Sequence, residues 1–169
     1  TYLVPNRDKY FRNPNFCNRV SFDYSLLEKE KPNDDTKEAY LKELFNVVEE
    51  KSYQYSTENK DNANGVFTIV EFITKRTANT FYSLAKEVNG FFDNIVILSG
   101  TILEPRRRMI ISSLKSRCYR NSKLLLITTQ VVEAGVDIDM DLGFKDKSLI
   151  DSEEQLAGRI NRNCNKDNC

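Results

Sequence analysis

Two arginines, Arg159 and Arg162, stand near the end of this chain in the run QLAGRINR. Arginine stays charged at any ordinary pH and its planar fork matches phosphate oxygens, so such a pair suits charge on a transferring phosphoryl group. The preceding SEEQ, Ser152 to Gln155, has the form of a capping box and predicts a helix starting near Ser152. At about 3.6 residues per turn, Gln155, Gly158, Arg159 and Arg162 would then share a strip of roughly a quarter to a third of the circumference. Leu156, Ala157 and Ile160 take the core-side arc. Gly158 costs about 1 kcal/mol in a helix interior relative to alanine, and close packing or ligand approach is the natural compensation. For a lone GRxxR, a solvated basic face is the better account.

Upstream lies TTQVVEAGVDIDMD, Thr128 to Asp141, with aspartates at alternate positions. Asp137, Asp139 and Asp141 would fill positions one, three and five of a calcium loop. Such a loop needs glycine at its sixth position and a bidentate glutamate at its twelfth. Leu142 and Ser148 stand there, and the entering segment is strand-like, so calcium is excluded. Two readings then remain for the stretch taken alone. One is a strand end delivering a phosphate-facing loop, with Thr128 and Thr129 as hydroxyls and Gly135 for the turn. Asp137 would accept from a ribose hydroxyl or hold an arginine. The other is an ordinary strand–loop with solvated acids. Asp139 and Asp141 read as the polar shoulder of a loop under either. The pairing of a strand-end TxxxxxGxD with a following QxxGRxxR is far more specific than each alone.

These residues need a frame to position them. Val20, Phe22, Tyr24 and Leu26 alternate as on one face of an extended strand. Asp35 to Glu38 can cap a helix from Thr36 to about Gln54, with Tyr40, Leu41, Leu44, Phe45 and Val48 at helical spacing. From Gly65 a strand–helix rhythm begins. VFTIVEFI is apolar on both faces. Thr74 can cap the next helix, which buries Ala78, Phe81, Ala85 and Val88 and ends at Asn89-Gly90. NIVILSG is a second strand, and TILEP opens a helix with Pro105 in its first turn. SKLLLITT is a third strand, and DLGF a possible fourth. This order predicts an α/β fold with a mainly parallel sheet covered on both faces, whose ligands gather at the strand carboxyl ends after Ile73, Leu98 and Ile127.

Composition sets limits. The chain of 169 residues is long enough for one domain with a core and short for two, and 40% of it is apolar. Lys plus Arg balances Asp plus Glu at 25 each, so any nucleic-acid contact rests on a local patch rather than a global field. The absence of histidine excludes Ser-His-Asp and Cys-His catalysis and His-ligated metals. Cys17, Cys118, Cys164 and Cys169 form no CxxC pair and read as reduced thiols. No apolar run approaches bilayer length, and no signal-peptide pattern opens the chain. Residues 1–15 read as a linker, and the missing initiator methionine as a cut from a larger polypeptide.

Together, TTQVVEAGVDID and QLAGRINR resemble the last conserved motifs of superfamily-two helicases. The first is similar to the motif that touches nucleic-acid phosphate and the nucleotide ribose, the second to the arginine-finger motif. The wording VVEAGVDID followed by SLIDSEEQLAGRINRN resembles most closely the CRISPR-associated type I helicase–nuclease. KYFRNPNF and RVSFDYSLL are similar to that family's passage between its two RecA-like lobes, FITKRTANTFY to the motif heading the second lobe, and ILSGTILEPRRR to the segment after the next strand. Leu98 departs from a histidine usual there, and Ala134 from an arginine common in RNA helicases.

The resemblance implies a second RecA-like lobe, a three-layer αβα fold with an N-terminal strand and helix extension (16–64) before a core (65–169) truncated at its C-terminus. Arg159 and Arg162 would face the γ-phosphate and Gln155 would order the site. Asp137 would face the nucleotide sugar or the arginines, beside Gly135 and Gly158. Thr129 and Gly135 would lie near the nucleic-acid backbone. Thr74 and Lys75, at a helix N-terminus, could hold another phosphate through backbone N–H groups. Thr101 with Arg106 to Arg108 is either a strand contact or a solvated basic face. ATP and Mg²⁺ would bind between this lobe and a first lobe, since the phosphate loop and acidic motif are absent here. The isolated chain is expected to bind ATP weakly and not to hydrolyse it. The implied partners are the first lobe and an HD nuclease domain of the same polypeptide, single-stranded DNA and a CRISPR surveillance complex. The implied setting is the cytoplasm of a prokaryote. A catalytically silent binding module, or a lobe of another superfamily-two motor such as a DEAH-like enzyme or remodeller, are the competing readings.

Overall fold

In the computed structural model, which describes residues 20–28, 33, 35–58, 65–100, 102–115, 121–129, 138–147 and 150–162, the apolar runs form one sheet. Strands β1 (Val66–Phe72), β2 (Asn94–Leu98), β3 (Lys123–Thr129) and β4 (Leu142–Lys145) lie in the order β2-β3-β1-β4. All three pairings are parallel, with Val66 opposite Lys123, Asn94 opposite Leu124 and Thr68 opposite Leu142. Every residue of β1 is buried because the strand has neighbours on both edges and helices on both faces.

The period of two along these strands divides the core. Val70, Phe72, Leu125 and Ile127 face one side, where α1 (Lys37–Glu58) and α2 (Lys75–Val88) cover them. Leu41, Leu44, Phe45 and Val48 come from α1, and Ala78, Phe81 and Ala85 from α2. Phe81 sits 5.0 Å from Phe72 and 6.0 Å from Phe45, ring centre to ring centre, in tilted contacts. Phe67, Ile69, Leu124 and Leu126 face the other side, covered from α3 (Glu104–Lys115) and α4 (Ile150–Ala157) by Leu114 and Leu156. Val88, expected in the stripe of α2, is exposed instead, because the helix ends there.

Local chemistry sets the boundaries. Thr74 caps α2 by accepting from the Thr77 N–H at 3.2 Å. At the far end, the Asn89 carboxamide accepts from the N–H groups of Phe91 and Phe92 and donates to the Phe92 carbonyl. Before α1 the reciprocal pair is Asn33 with Thr36, not Asp35 with Glu38. The Asn33 side chain accepts from the Thr36 N–H at 2.9 Å, and the Thr36 hydroxyl from the Asn33 N–H at 3.0 Å. Pro105 is the second residue of α3, where its missing N–H costs nothing.

The expected strand from Val20 to Leu26 is not one. Residues 20–24 have no regular structure, and Ser25–Glu28 form a single 3₁₀ turn. The Asp23 carboxylate accepts from the Ser25 N–H at 2.9 Å and turns the chain, which also holds that carboxyl below its ordinary value. Val20 and Leu26 pack on opposite cores, while Phe22 and Tyr24 stack on each other in solvent. Alternation therefore reflected a segment divided between two faces. Residues 1–15, read as a linker, lie outside the described residues.

Candidate functional site

The arginines are presented by a turn, not by a helical face. Helix α4 starts at Ile150, two residues before the capping serine inferred from sequence, and stops at Ala157. Beyond it the Arg159 N–H reaches the Leu156 carbonyl at 2.8 Å and the Ile160 N–H the Ala157 carbonyl at 3.2 Å, the tighter bonds of a closing turn. Ile160 then forms a parallel bridge with Met140. The Met140 N–H donates to the Arg159 carbonyl at 3.0 Å, and the Asn161 N–H to the Met140 carbonyl at 2.9 Å. Asn161 takes φ 45, a left-handed conformation that asparagine tolerates better than most residues. Ile160 and Leu156 are buried, Gly158 and Arg159 half-buried, and Gln155 and Arg162 exposed. The strip inferred for Gln155, Gly158, Arg159 and Arg162 is thus broken after Ala157, because pairing with Met140 takes the place of a further turn of helix.

The acids read as a loop shoulder are the fixings of that turn. One Asp139 oxygen accepts from the Arg162 N–H at 2.8 Å. One Asp141 oxygen accepts from the Phe67 N–H at 2.7 Å, and the Asp141 N–H donates to the Phe67 carbonyl at 2.8 Å. Both side chains are at least nine-tenths buried. Ile138 and Met140 alternate with them and enter the core, so the alternation in IDMDL was the signal of an extended segment. Close approach completes the fit. A Cβ on Gly143 would lie 3.0 Å from the Ile160 Cδ1 and 3.4 Å from a Leu156 methyl. Gly143→Val is accordingly expected to cost about 1–3 kcal/mol by overpacking, read as a lower thermal midpoint, with the arginine turn displaced. An unchanged midpoint would show that Ile160 moves freely.

Thr74, Lys75 and Thr129 lie at the opposite end of the sheet. The turn is tied to Phe67 at the start of β1, whereas Thr74 and Lys75 follow its end. Six residue steps of strand separate Phe67 from Ile73, roughly 20 Å. Helix α4 runs back along the sheet, so the chemistry-bearing residues fall at both ends and not only at the carboxyl ends. Thr74 and Lys75 are exposed, and the Thr74 hydroxyl is engaged with Thr77. Thr129, last residue of β3, is buried, and among the described residues its hydroxyl has no hydrogen-bond partner. Gly135, Asp137 and Thr101 lie outside the described residues.

The same carboxyl end carries a buried pair that the sequence reading missed. Glu71 and Lys145 are register partners across β1 and β4, and carboxylate meets ammonium directly. Asp146 accepts from the Ile73 N–H at 3.1 Å. Burial pushes the Asp146 carboxyl above its ordinary value, against that bond and the pull of Lys145 and Lys37. Burial likewise holds the Lys145 ammonium below its ordinary value, opposed by Asp146 and Glu153. Among the described residues no group of three or more His, Cys, Asp or Glu is placed to hold a metal ion, and no helix is long and apolar enough to cross a membrane.

A parallel sheet in the order β2-β3-β1-β4 with helices on both faces is an α/β frame of the RecA-like kind. Residues 63–165 match the family model described as CRISPR-associated nuclease/helicase Cas3, C-terminal. The chain belongs to that family. A CRISPR-associated nuclease/helicase Cas3 of Methanothermobacter thermautotrophicus is 39% identical over 74 residues, which cover 44% of this chain and 9% of that protein. The match thus spans about a tenth of that curated relative. The crystal structure of T. fusca Cas3-AMPPNP superposes with a TM-score of 0.51 at 24% identity, covering 57% of this chain and 12% of that one. The C-terminal domain of the DEAD-box protein Dbp5 gives 0.50 at 24% identity, covering 77% and 65%. These likenesses are of fold.

Proposed function

We propose that this chain is the second motor lobe of an ATP-dependent DNA helicase of CRISPR defence, within a polypeptide that also carries a first RecA-like lobe and a nuclease domain. The observation that carries the reading is the arginine turn, clamped at one end of the sheet and presenting Arg162 to solvent. Two guanidinium groups suit the phosphate oxygens of ATP. Asp139 and Asp141 are engaged with backbone N–H groups, and the Mg²⁺ ligands would come from the first lobe. When bound, ATP would supply the phosphoanhydride whose cleavage drives closure and opening of the two lobes. Arg159 and Arg162 would stabilise charge on the γ-phosphate, and Gln155 would order them. At the other end the exposed Thr74 and Lys75 would track a single DNA strand. The separation of roughly 20 Å along β1 lets one rigid lobe serve both ligands.

The test is hydrolysis and strand binding by the complete polypeptide. ATP turnover stimulated by single-stranded DNA is expected, with none from this chain alone. Lys75→Ala should weaken strand binding and lower the salt slope by about one phosphate contact, with little change in turnover at saturating strand. Tight strand binding by a complete polypeptide that never hydrolyses ATP would instead identify a silent binding module.

A further inference from the structure

We infer that Asp139 is the positioning residue for Arg162, fixing the backbone from which that guanidinium is aimed. The inference rests on the proposed role of the arginine turn. Helix α4 ends at Ala157, and the Leu156 and Ala157 carbonyls hold the chain that follows only as far as Arg159 and Ile160. Two bonds to Met140 fix the chain on either side of Ile160. They do not reach Arg162, because Asn161 intervenes at φ 45 and reverses the local direction of the chain. The bond from the Arg162 N–H to the Asp139 carboxylate, at 2.8 Å, restrains the backbone beyond that point. Its acceptor is well anchored. Asp139 is 9% exposed, is flanked by buried Ile138 and Met140, and lies two residues before Asp141, which is bonded to β1 through Phe67. A bonded path therefore runs from β1 through Asp141 and Asp139 to Arg162. Asp139 need not touch a nucleotide to govern turnover. A long side chain swings through its whole reach when its backbone rotates, and small misplacement of a catalytic group lowers kcat more than substrate affinity.

The experiment uses the complete polypeptide and three variants, Asp139→Ala, Asp139→Asn and Arg162→Ala. Asp139→Ala is expected to lower kcat for ATP by about 10–100-fold, with KM for ATP changed less than about 3-fold. Asp139→Asn keeps an oxygen acceptor and should recover kcat to within about 3-fold of the parent. Amide hydrogen exchange of the peptide spanning Arg159 to Arg162 should be slow in the parent and in Asp139→Asn, and at least about 10-fold faster in Asp139→Ala. An Asp139→Ala enzyme with parental kcat overturns the inference, as does an Asp139→Asn enzyme as impaired as the alanine variant. An unprotected Arg162 amide in the parent overturns it too, even where Asp139→Ala fails to fold. Parental turnover by Arg162→Ala would remove the functional role of the turn itself, while amide protection would still report on the clamp.

Discussion

Arg162→Ala in the complete polypeptide is expected to lower kcat for ATP hydrolysis by about 10³-fold, the scale on which arginine fingers act. Single-strand affinity should stay within about 3-fold, because the residues proposed to track the strand lie at the other end of β1, a strand roughly 20 Å long. The Arg162 side chain is exposed and its backbone is held by Asp139, so truncation removes the guanidinium and leaves the clamp. Protein stability should therefore change little, within about 0.5 kcal/mol. Arg162→Lys should recover only a small part of the loss, since an ammonium keeps the charge without the planar fork. Arg159→Ala is expected to reduce turnover as well, but this half-buried residue lies inside the turn, and some loss of stability should accompany it. Equal loss of hydrolysis and strand binding on Arg162→Ala would assign the residue to strand contact or folding instead. Steady-state hydrolysis and strand titration on the same preparation separate these outcomes.

Lys145→Met is expected to destabilise this chain by about 3–5 kcal/mol, lowering the thermal midpoint by on the order of 10 °C. The Glu71 and Lys145 side chains are only 5% and 8% exposed, and they face each other across the β1–β4 pair. Removing the ammonium leaves the Glu71 carboxylate buried without its counter-charge in the central strand of the sheet. The cost comes from that stranded charge rather than from any large net gain by the pair, so replacing both partners should restore most of the stability. Glu71→Leu with Lys145→Met is expected within about 1 kcal/mol of the parent, or above it. Urea unfolding of the parent, single and double variants gives the coupling directly. A double variant as unstable as the single one would show that the loss comes from the packing of the lysine stem.

Much of this architecture was legible in the residues. Three apolar runs, each bounded by turn or capping residues, marked β1, β2 and β3 within a residue or two, because a strand buried on both faces has little freedom of composition. Thr74 was readable as a cap since its hydroxyl acts over three residues of chain. DLGF was readable as a strand, and the following acidic run as a helix start, though two residues late. Where alternation had no neighbouring strand to reward it, at Val20 to Leu26, the Asx turn at Asp23 prevailed and the inferred strand did not form.

The residue types of the two motifs, the phosphate chemistry they suit and the parallel strand–helix order that holds them were determined by the sequence alone. These depend on chemistry and on contacts a few residues apart. Tertiary structure alone decided how the arginines are presented. A helical wheel continued the strip from Gln155 to Arg162, because nothing within QLAGRINR announces that Ile160 will leave the helix. That outcome depends on Met140, some twenty residues earlier, offering a free strand edge, and on Asp139 accepting the Arg162 N–H. The same holds for Glu71 and Lys145, 74 residues apart, whose meeting follows from the register of β1 with β4. Bonds between distant segments are selected by burial and by the need to satisfy every buried polar group, and only the folded sheet poses that requirement.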